Sequence, residues 1–305
     1  VCRLAKKLNV PVLLWGPRDE CPDENGMRLR DSQCGLFATG KVLRRFGIPF
    51  TYLKNCNLED ECFAEGIDRF LRVCNVVKAF RNTRVLQIST RPFDFWSTMC
   101  NEGVLLEKFG IQLSPIPMPE LTQVMKDVKE NSPEEIKEVT DYCREKMCIK
   151  VTPEQLDNVA ALKIAMTRLG KKYGCNCGAI QCWNALQDEI GIMPCAANAL
   201  CNDEGFPIAC ETDIHGTITS VLVEAAAMGE TRSFFADWTV RHPYNDNAEL
   251  LQHCGPWPIS IAKEKPTIDT PVAFDCSGSL MAQAKDGEHI SLVRFDGDNG
   301  EYSLL

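Results

Sequence analysis

The stretch Ile208-Ala209-Cys210-Glu211-Thr212-Asp213-Ile214-His215-Gly216 is an apolar lead into a carboxylate-rich turn that Gly216 closes, with a helix expected from Thr217. A strand-to-helix junction of this kind sets acids at the carboxyl edge of a sheet, where open α/β folds bind ligands. Two more ionisable groups follow apolar runs: Asp237 after Phe234-Phe235-Ala236, and His253 after Leu250-Leu251. Carboxylates with an imidazole suit Mn²⁺, Mg²⁺ or Fe²⁺ better than they suit a thiolate metal. The same residues also have a purely structural explanation, in which Asp213 caps the next helix and His253 is an interior histidine with satisfied hydrogen bonds.

The elements that must position these groups read as β-α-β grammar. Pro11-Val12-Leu13-Leu14-Trp15 is a buried strand delivering a charged loop, Arg18 to Arg30. A helix ending at Phe46-Gly47 and a strand at Phe50-Thr51-Tyr52-Leu53 follow. The cycle restarts at Arg84-Val85-Leu86-Gln87-Ile88-Ser89, with a helix to Phe109 and a strand over 111–116. Amphipathic helices are expected over 119–130, 133–147 and 153–172, the last two opened by Ser132-Pro133 and Thr152-Pro153. After Gly229 short apolar runs at 233–236, 271–274 and 289–293 alternate with Gly, Asp and Pro, and Asp296-Gly297-Asp298-Asn299-Gly300 is a hairpin turn. The expected fold is α/β: tandem parallel-sheet α/β domains followed by a β-rich C-terminal domain. Its parts are 1–81, the end of a first α/β domain; 82–228, a central α/β domain; and 229–305, a truncated β-rich domain.

With 305 residues, 45% of them hydrophobic, the chain is long enough for more than one core. A net charge of −9 argues against nucleic acid and against an anionic membrane surface, and leaves a small neutral molecule as the better partner. The seventeen cysteines are spread through apolar and helical stretches with no paired C-x-x-C motifs, so they read as reduced thiols in a cytoplasmic protein, Cys175, Cys177 and Cys182 included. No apolar run has the roughly 18 residues of a membrane helix, and no export signal is apparent. Val1 opens inside a helical pattern and Tyr302-Ser303-Leu304-Leu305 stops in a strand-like run, so the sequence reads as a part of a longer protein.

Ala209-Cys210-Glu211-Thr212-Asp213 through Phe235-Ala236-Asp237 resembles the active-site stretch of the L-fucose isomerase family, where a Glu follows an apolar strand and an Asp appears in a Phe-Ala-Asp run after a helix. L-arabinose isomerases are similar and add a histidine shortly after the second acid, which His253 in Gln252-His253-Cys254-Gly255 matches. Leu29-Arg30-Asp31-Ser32-Gln33, Asn101-Glu102-Gly103 and Lys108-Phe109-Gly110 resemble shorter runs of the family in the same order. The resemblance implies an aldose–ketose isomerase acting through an enediolate on a pentose or 6-deoxyhexose of the L-fucose or D-arabinose type. Glu211 and Asp237 are then both the proton-transferring acids and metal ligands, with His253 as a third ligand, for Mn²⁺ or in its place Mg²⁺, Fe²⁺ or Co²⁺.

Gln181 and Trp183 stand at the end of an expected strand and Trp238 follows Asp237 directly, so Gln181 is read as bonding a sugar hydroxyl, the two tryptophans as either core or flat faces against sugar C–H groups, and His215 as a hydrogen-bonding group on the substrate side. Arg18 and Arg30 are either solvated surface charges or, since the family builds its sites across subunits, completions of a neighbour's pocket in a homo-oligomer. Fucose isomerases take one metal-ligating histidine from near the end of the full protein; Glu288-His289-Ile290 reads as a strand start, so that ligand is expected beyond Leu305 and the fragment alone is expected to be weak or inactive. Two other classes compete. A non-catalytic sugar-binding protein of tandem α/β domains needs no convergent acids, and a nicotinamide dehydrogenase needs a G-x-G-x-x-G after a strand, which is absent.

Overall fold

A computed structural model describes residues 2–271, 275–287 and 289–305. The architecture is mixed α/β with parallel sheets and a later β-rich region, and the chain divides into two compact units, 1–77 and 78–305. In the first, α1 (Cys2–Leu8), β1 (Leu13–Leu14), α2 (Ser32–Arg45) and β2 (Thr51–Tyr52) lead to α3 (Glu61–Arg81), which continues into the second. β1 and β2 pair in parallel. Ala5, Leu43 and Ile48 form a small core there. The amino end of α2 has no cap from Asp31; Asp19, thirteen residues before Ser32, accepts from the backbone N–H of Ser32 at 2.6 Å and of Gln33 at 3.1 Å instead.

The second unit is organised on β3 (Arg84–Ile88), α4 (Glu102–Phe109), β4 (Gln112–Ile116), α5 (Met118–Asn131), α6 (Pro133–Lys146), β5 (Cys148–Ile149), α7 (Pro153–Tyr173), β6 (Cys177–Ile180), α8 (Ala185–Ile190), α9 (Cys195–Asp203), β7 (Ile208–Ala209) and α10 (Ile214–Ala226). The strands form one parallel sheet in the order β4-β3-β6-β7. The helix signals act as their chemistry requires: Thr152 and Gln155 exchange both bonds of a capping box at the start of α7, and Gly110 and Gly174 end α4 and α7 in the left-handed conformation. α7 packs on α5, α6 and α9, and its Leu162, Met166 and Leu169 join Leu86, Ile88 and Ile180 of the sheet in one core.

The tail contributes β8 (Asp237–Arg241), β9 (Glu249–Gln252), β10 (Thr267–Asp269), β11 (Ser279–Met281), β12 (Phe295–Asp298) and β13 (Glu301–Leu304). It is tied to what precedes it, because β10 pairs in parallel with β5 and antiparallel with β11. β12 and β13 meet through Asn299 and Gly300, both at positive φ, the geometry that a two-residue hairpin turn requires.

Three expectations about local structure are corrected. Residues 233–236 are a loop, because Ser233 is held by the Glu224 carboxylate and Phe234 packs on Trp257 rather than entering a ladder; Asp237 therefore opens β8 instead of ending a strand. α10 starts at Ile214, three residues before Thr217, because Asp213 already caps it by accepting from the Gly216 N–H at 2.9 Å. Residues 289–293 carry no strand, the hairpin register starting with Phe295 against Leu304. Of the expected run 271–274, residues 272–274 lie outside the described residues, as does Glu288. All seventeen cysteines are free thiols, and among the described residues no helix is long and apolar enough to cross a membrane.

Leu86 lies at the centre of the parallel sheet, fully buried. Leu86→Ala is expected to cost about 2–5 kcal/mol in urea denaturation, whereas Leu29→Ala, at a side chain 90% exposed, should stay within about 0.5 kcal/mol.

Candidate active site

The carboxyl edge of the parallel sheet gathers backbone that side-chain-bearing residues rarely adopt. Ser89 just past β3, Asn184 past β6, and Glu211 and Thr212 past β7 all have positive φ, from 53° to 65°. Left-handed backbone costs a non-glycine residue roughly 1–2 kcal/mol, and such strain persists where surrounding bonds over-determine it. Those bonds are present. Thr212 donates its N–H to the Ile180 carbonyl at 3.0 Å and its hydroxyl to the Thr90 carbonyl at 3.1 Å, and the Thr98 hydroxyl donates to the Glu211 carbonyl at 3.3 Å.

One residue further on, Asp213 combines its helix cap with a two-pronged pairing to the Arg294 guanidinium, whose Nη2 reaches Oδ1 at 3.1 Å. Gly216 completes the turn: a Cβ there would stand 2.3 Å from the Phe235 ring and 2.6 Å from the Asp213 carboxylate. Phe235 in turn lies edge-on to His253, with ring centres 5.1 Å apart. The turn, the cap and the loop before β8 thus pack as one assembly.

Glu211, Asp237 and His253 come together here. His253 Nε2 is 3.5 Å from Glu211 Oε2 and 4.0 Å from Asp237 Oδ2. The Glu211 and His253 side chains are only 12% and 3% exposed while that of Asp237 is 73% exposed, so the group opens to solvent on the Asp237 side. Burial raises the Asp237 pKa; His253 opposes the rise, and the charges of Glu211 and Asp213 add to it. His253 loses by burial but is pushed up to about 10 by its hydrogen bond with Cys254 and the Glu211 carboxylate.

His253 Nδ1 accepts the Gly255 N–H at 3.0 Å, so in the neutral ring the proton sits on Nε2. In the neutral ring Nε2 thus carries the hydrogen and faces the two carboxylates. A metal-ligating histidine does the reverse, donating from its second nitrogen. As placed, the ligand atoms of Glu211, Asp237 and His253 do not all lie within 4.8 Å of one another, so the two carboxylates would have to draw together to share a hard divalent ion, and His253 fits as a hydrogen-bond donor beside it rather than as the third ligand.

The other expected residues are placed as follows. Gln181 Oε1 is engaged by the Ser89 hydroxyl at 2.8 Å. Trp183, 37% exposed, meets Phe95 edge-on at 5.2 Å, and Trp238 is 65% exposed beside Asp237 on β8. His215, expected on the substrate side, is instead 1% exposed and enclosed by Phe295 and Tyr302, with Nδ1 at 2.9 Å from Asp296; burial lowers its pKa, with Asp296 opposing. It sits in the second position of a helix whose first turns are wholly buried, which is why it faces the hairpin. Arg18 and Arg30 belong to the first unit, both exposed, with Arg30 paired to Glu20.

Residues 2–81 match the family model for the fucose/sulfoquinovose isomerase N-terminal domain. The chain is 25% identical over 260 residues to a sulfoquinovose isomerase of Alkalicoccus urumqiensis, covering 85% of this chain and 57% of that protein. It is 24% identical over 252 residues to those of Priestia aryabhattai and Priestia megaterium, covering 83% of this chain and 55% of each. These similarities support a fucose isomerase-like protein. It spans little more than half the length of the curated relatives it matches.

Two features of this site had no sequence signal. Arg294 lies 81 residues from Asp213 in an apolar stretch, and the sulfur beside Glu211 comes from Cys182, which donates to Oε1 at 3.2 Å across neighbouring strands. Arg294→Met leaves the buried Asp213 without its partner and is expected to cost about 2–3 kcal/mol, the low side for a buried pair because Arg294 is a third exposed. Adding Asp213→Asn should recover part of that loss in a double-mutant cycle. His253 has a folded pKa near 10 against an ordinary 6.5, so its stabilising contribution is complete below about pH 6.5 and fades as pH rises toward 10. The stability gap between wild type and His253→Gln, read by urea denaturation, should narrow across that interval; a constant gap would contradict the assignment.

Proposed function

We propose that the chain carries the acid pair of a metal-dependent aldose–ketose isomerase. The observation that supports it is the convergence of Glu211 and Asp237 on His253 Nε2, 3.5 and 4.0 Å away, at the strained carboxyl edge of a parallel sheet. The reaction class is supported by the similarity to sulfoquinovose isomerases. Moving hydrogen between C1 and C2 of a sugar needs a base, an acid and something to hold enediolate charge.

The oxygens of Glu211 and Asp237 are the atoms to hold the ion, Mn²⁺ or else Mg²⁺, Fe²⁺ or Co²⁺; when bound, it supplies Lewis-acid polarisation of the carbonyl. Glu211, sheltered, and Asp237, open to solvent, take and return the proton on either side of the carbon pair. His253 donates its Nε2–H to a sugar oxygen. Trp183, exposed just after Cys182, offers a ring for the sugar's C–H faces, and Trp238 follows Asp237 on β8 as the further candidate. The substrate is a pentose or 6-deoxyhexose of the L-fucose or D-arabinose type, with sulfoquinovose, the sugar in the relatives' names, as the further candidate. Exposed Trp238, Val240 and Leu250 on the β8–β9 hairpin support assembly into a homo-oligomer with sites near its interfaces.

The test is an aldose panel assayed with and without a chelator, on the intact protein and its Glu211→Gln variant. Turnover should stop with chelator and fall about 10²- to 10⁴-fold in the variant, while circular dichroism stays unchanged. Wild-type turnover indifferent to both would overturn the mechanism, and no turnover of any aldose with retained sugar binding would favour a binding protein.

A further inference from the structure

The Glu211 carboxylate has two chemically different faces. Oε2 looks toward His253 and Asp237, whereas Oε1 accepts from the Cys182 thiol at 3.2 Å. Cys210 stands on the same side, and ligand atoms of Cys182, Cys210 and Glu211 lie within 4.8 Å of one another, all three residues buried. The cluster extends further. Cys195 neighbours Cys210, whose Sγ accepts from Asn198 Nδ2 at 3.5 Å, and Cys195 Sγ is 3.9 Å from Cys254 Sγ. Four sulfurs are thereby collected under one strand edge, because Cys182 lies two residues past β6 and Cys210 one past β7, its parallel neighbour.

Isolated buried cysteines act as small hydrophobes, but sulfurs gathered around a carboxylate make a donor set. Ligands on a tetrahedral zinc, with Zn–S about 2.3 Å and Zn–O about 2.0–2.2 Å, lie roughly 3.5–3.8 Å apart. Separations between 3.2 and 4.8 Å bracket that spacing, so small side-chain rotations suffice.

We propose that Cys182, Cys210 and Glu211 Oε1 form a site for a thiophilic divalent cation of the Zn²⁺ type, with Cys195 as the nearest sulfur to complete it. Each ligating thiol releases one proton to solvent as its metal–sulfur bond forms, and no electron moves. The site is distinct from the oxygen face of Glu211 and does not depend on the isomerase reading. Since both faces share one carboxylate, a thiophilic ion here opposes a hard ion on the other side.

The experiment is an anaerobic titration of reduced, metal-free protein with Co²⁺, followed by Zn²⁺. One equivalent of Co²⁺ should produce a near-ultraviolet thiolate-to-cobalt charge-transfer band with intense tetrahedral visible bands, bleached by Zn²⁺. The band should vanish in Cys182→Ser/Cys210→Ser and persist in Cys56→Ser/Cys62→Ser, which removes the Cys56-Asp60-Cys62 group of the first unit. A pale octahedral spectrum without charge transfer, a band that survives the first double variant, or one lost in the second would overturn the proposal. Because the first variant can fail to fold, X-ray absorption of Zn²⁺-loaded wild type gives an independent reading. At least two sulfurs at about 2.3 Å are expected, and a shell of oxygen and nitrogen alone would overturn the site.

Discussion

Two consecutive residues with side chains, Glu211 and Thr212, are held in the left-handed conformation at the end of a two-residue strand. Everything in the site follows from that turn. It aims the Glu211 carboxylate inward between sulfur and imidazole, and it delivers Asp213 to the amino end of α10. The strain is sustained by bonds from three directions: the β6 carbonyl of Ile180, the loop after β3 through Thr90 and Thr98, and the tail through Arg294. A glycine would adopt the same backbone without strain but could not carry the acid.

The arrangement also explains why a β-rich tail packs on a parallel α/β core. The hairpin β12–β13 brings Phe295 and Tyr302 over His215, and the Phe295 N–H donates to the Thr219 hydroxyl of α10 at 2.9 Å. The loop before β8 carries Phe235 into the space that Gly216 leaves open, which sets the His253 ring. Chain segments far apart in sequence thus fix one carboxylate and one imidazole. That rigidity is what proton transfer over a short distance demands, because small misplacements of a catalytic group are costly.

Where order is local, the sequence is legible. Ser132-Pro133 and Thr152-Pro153 mark the starts of α6 and α7, and the apolar run 84–88 forms the central strand β3. The apolar lead into Glu211 likewise reveals a sheet-edge acid. Residues 233–236 mislead because a short apolar run looks the same whether it joins a ladder or anchors a loop, and only Glu224 and Trp257 decide between them. The Arg294–Asp213 pair and the sulfur beside Glu211 depend on strand register, which spacing does not encode. The proton on His253 Nε2 depends on where one backbone N–H, that of Gly255, happens to point.

In the proposed function Glu211 and Asp237 move a proton, not a hydride, between adjacent carbons, with His253 supplying hydrogen-bond support. The most direct test of that proposal is therefore the fate of the migrating hydrogen when an aldose is incubated with the intact protein in D₂O, read by NMR of the ketose recovered. Carboxylate transfer predicts deuterium from solvent at C1 of the ketose, because a proton held on Glu211 or on solvent-open Asp237 exchanges with water before it is returned. Complete retention of the original hydrogen at full conversion would contradict the account.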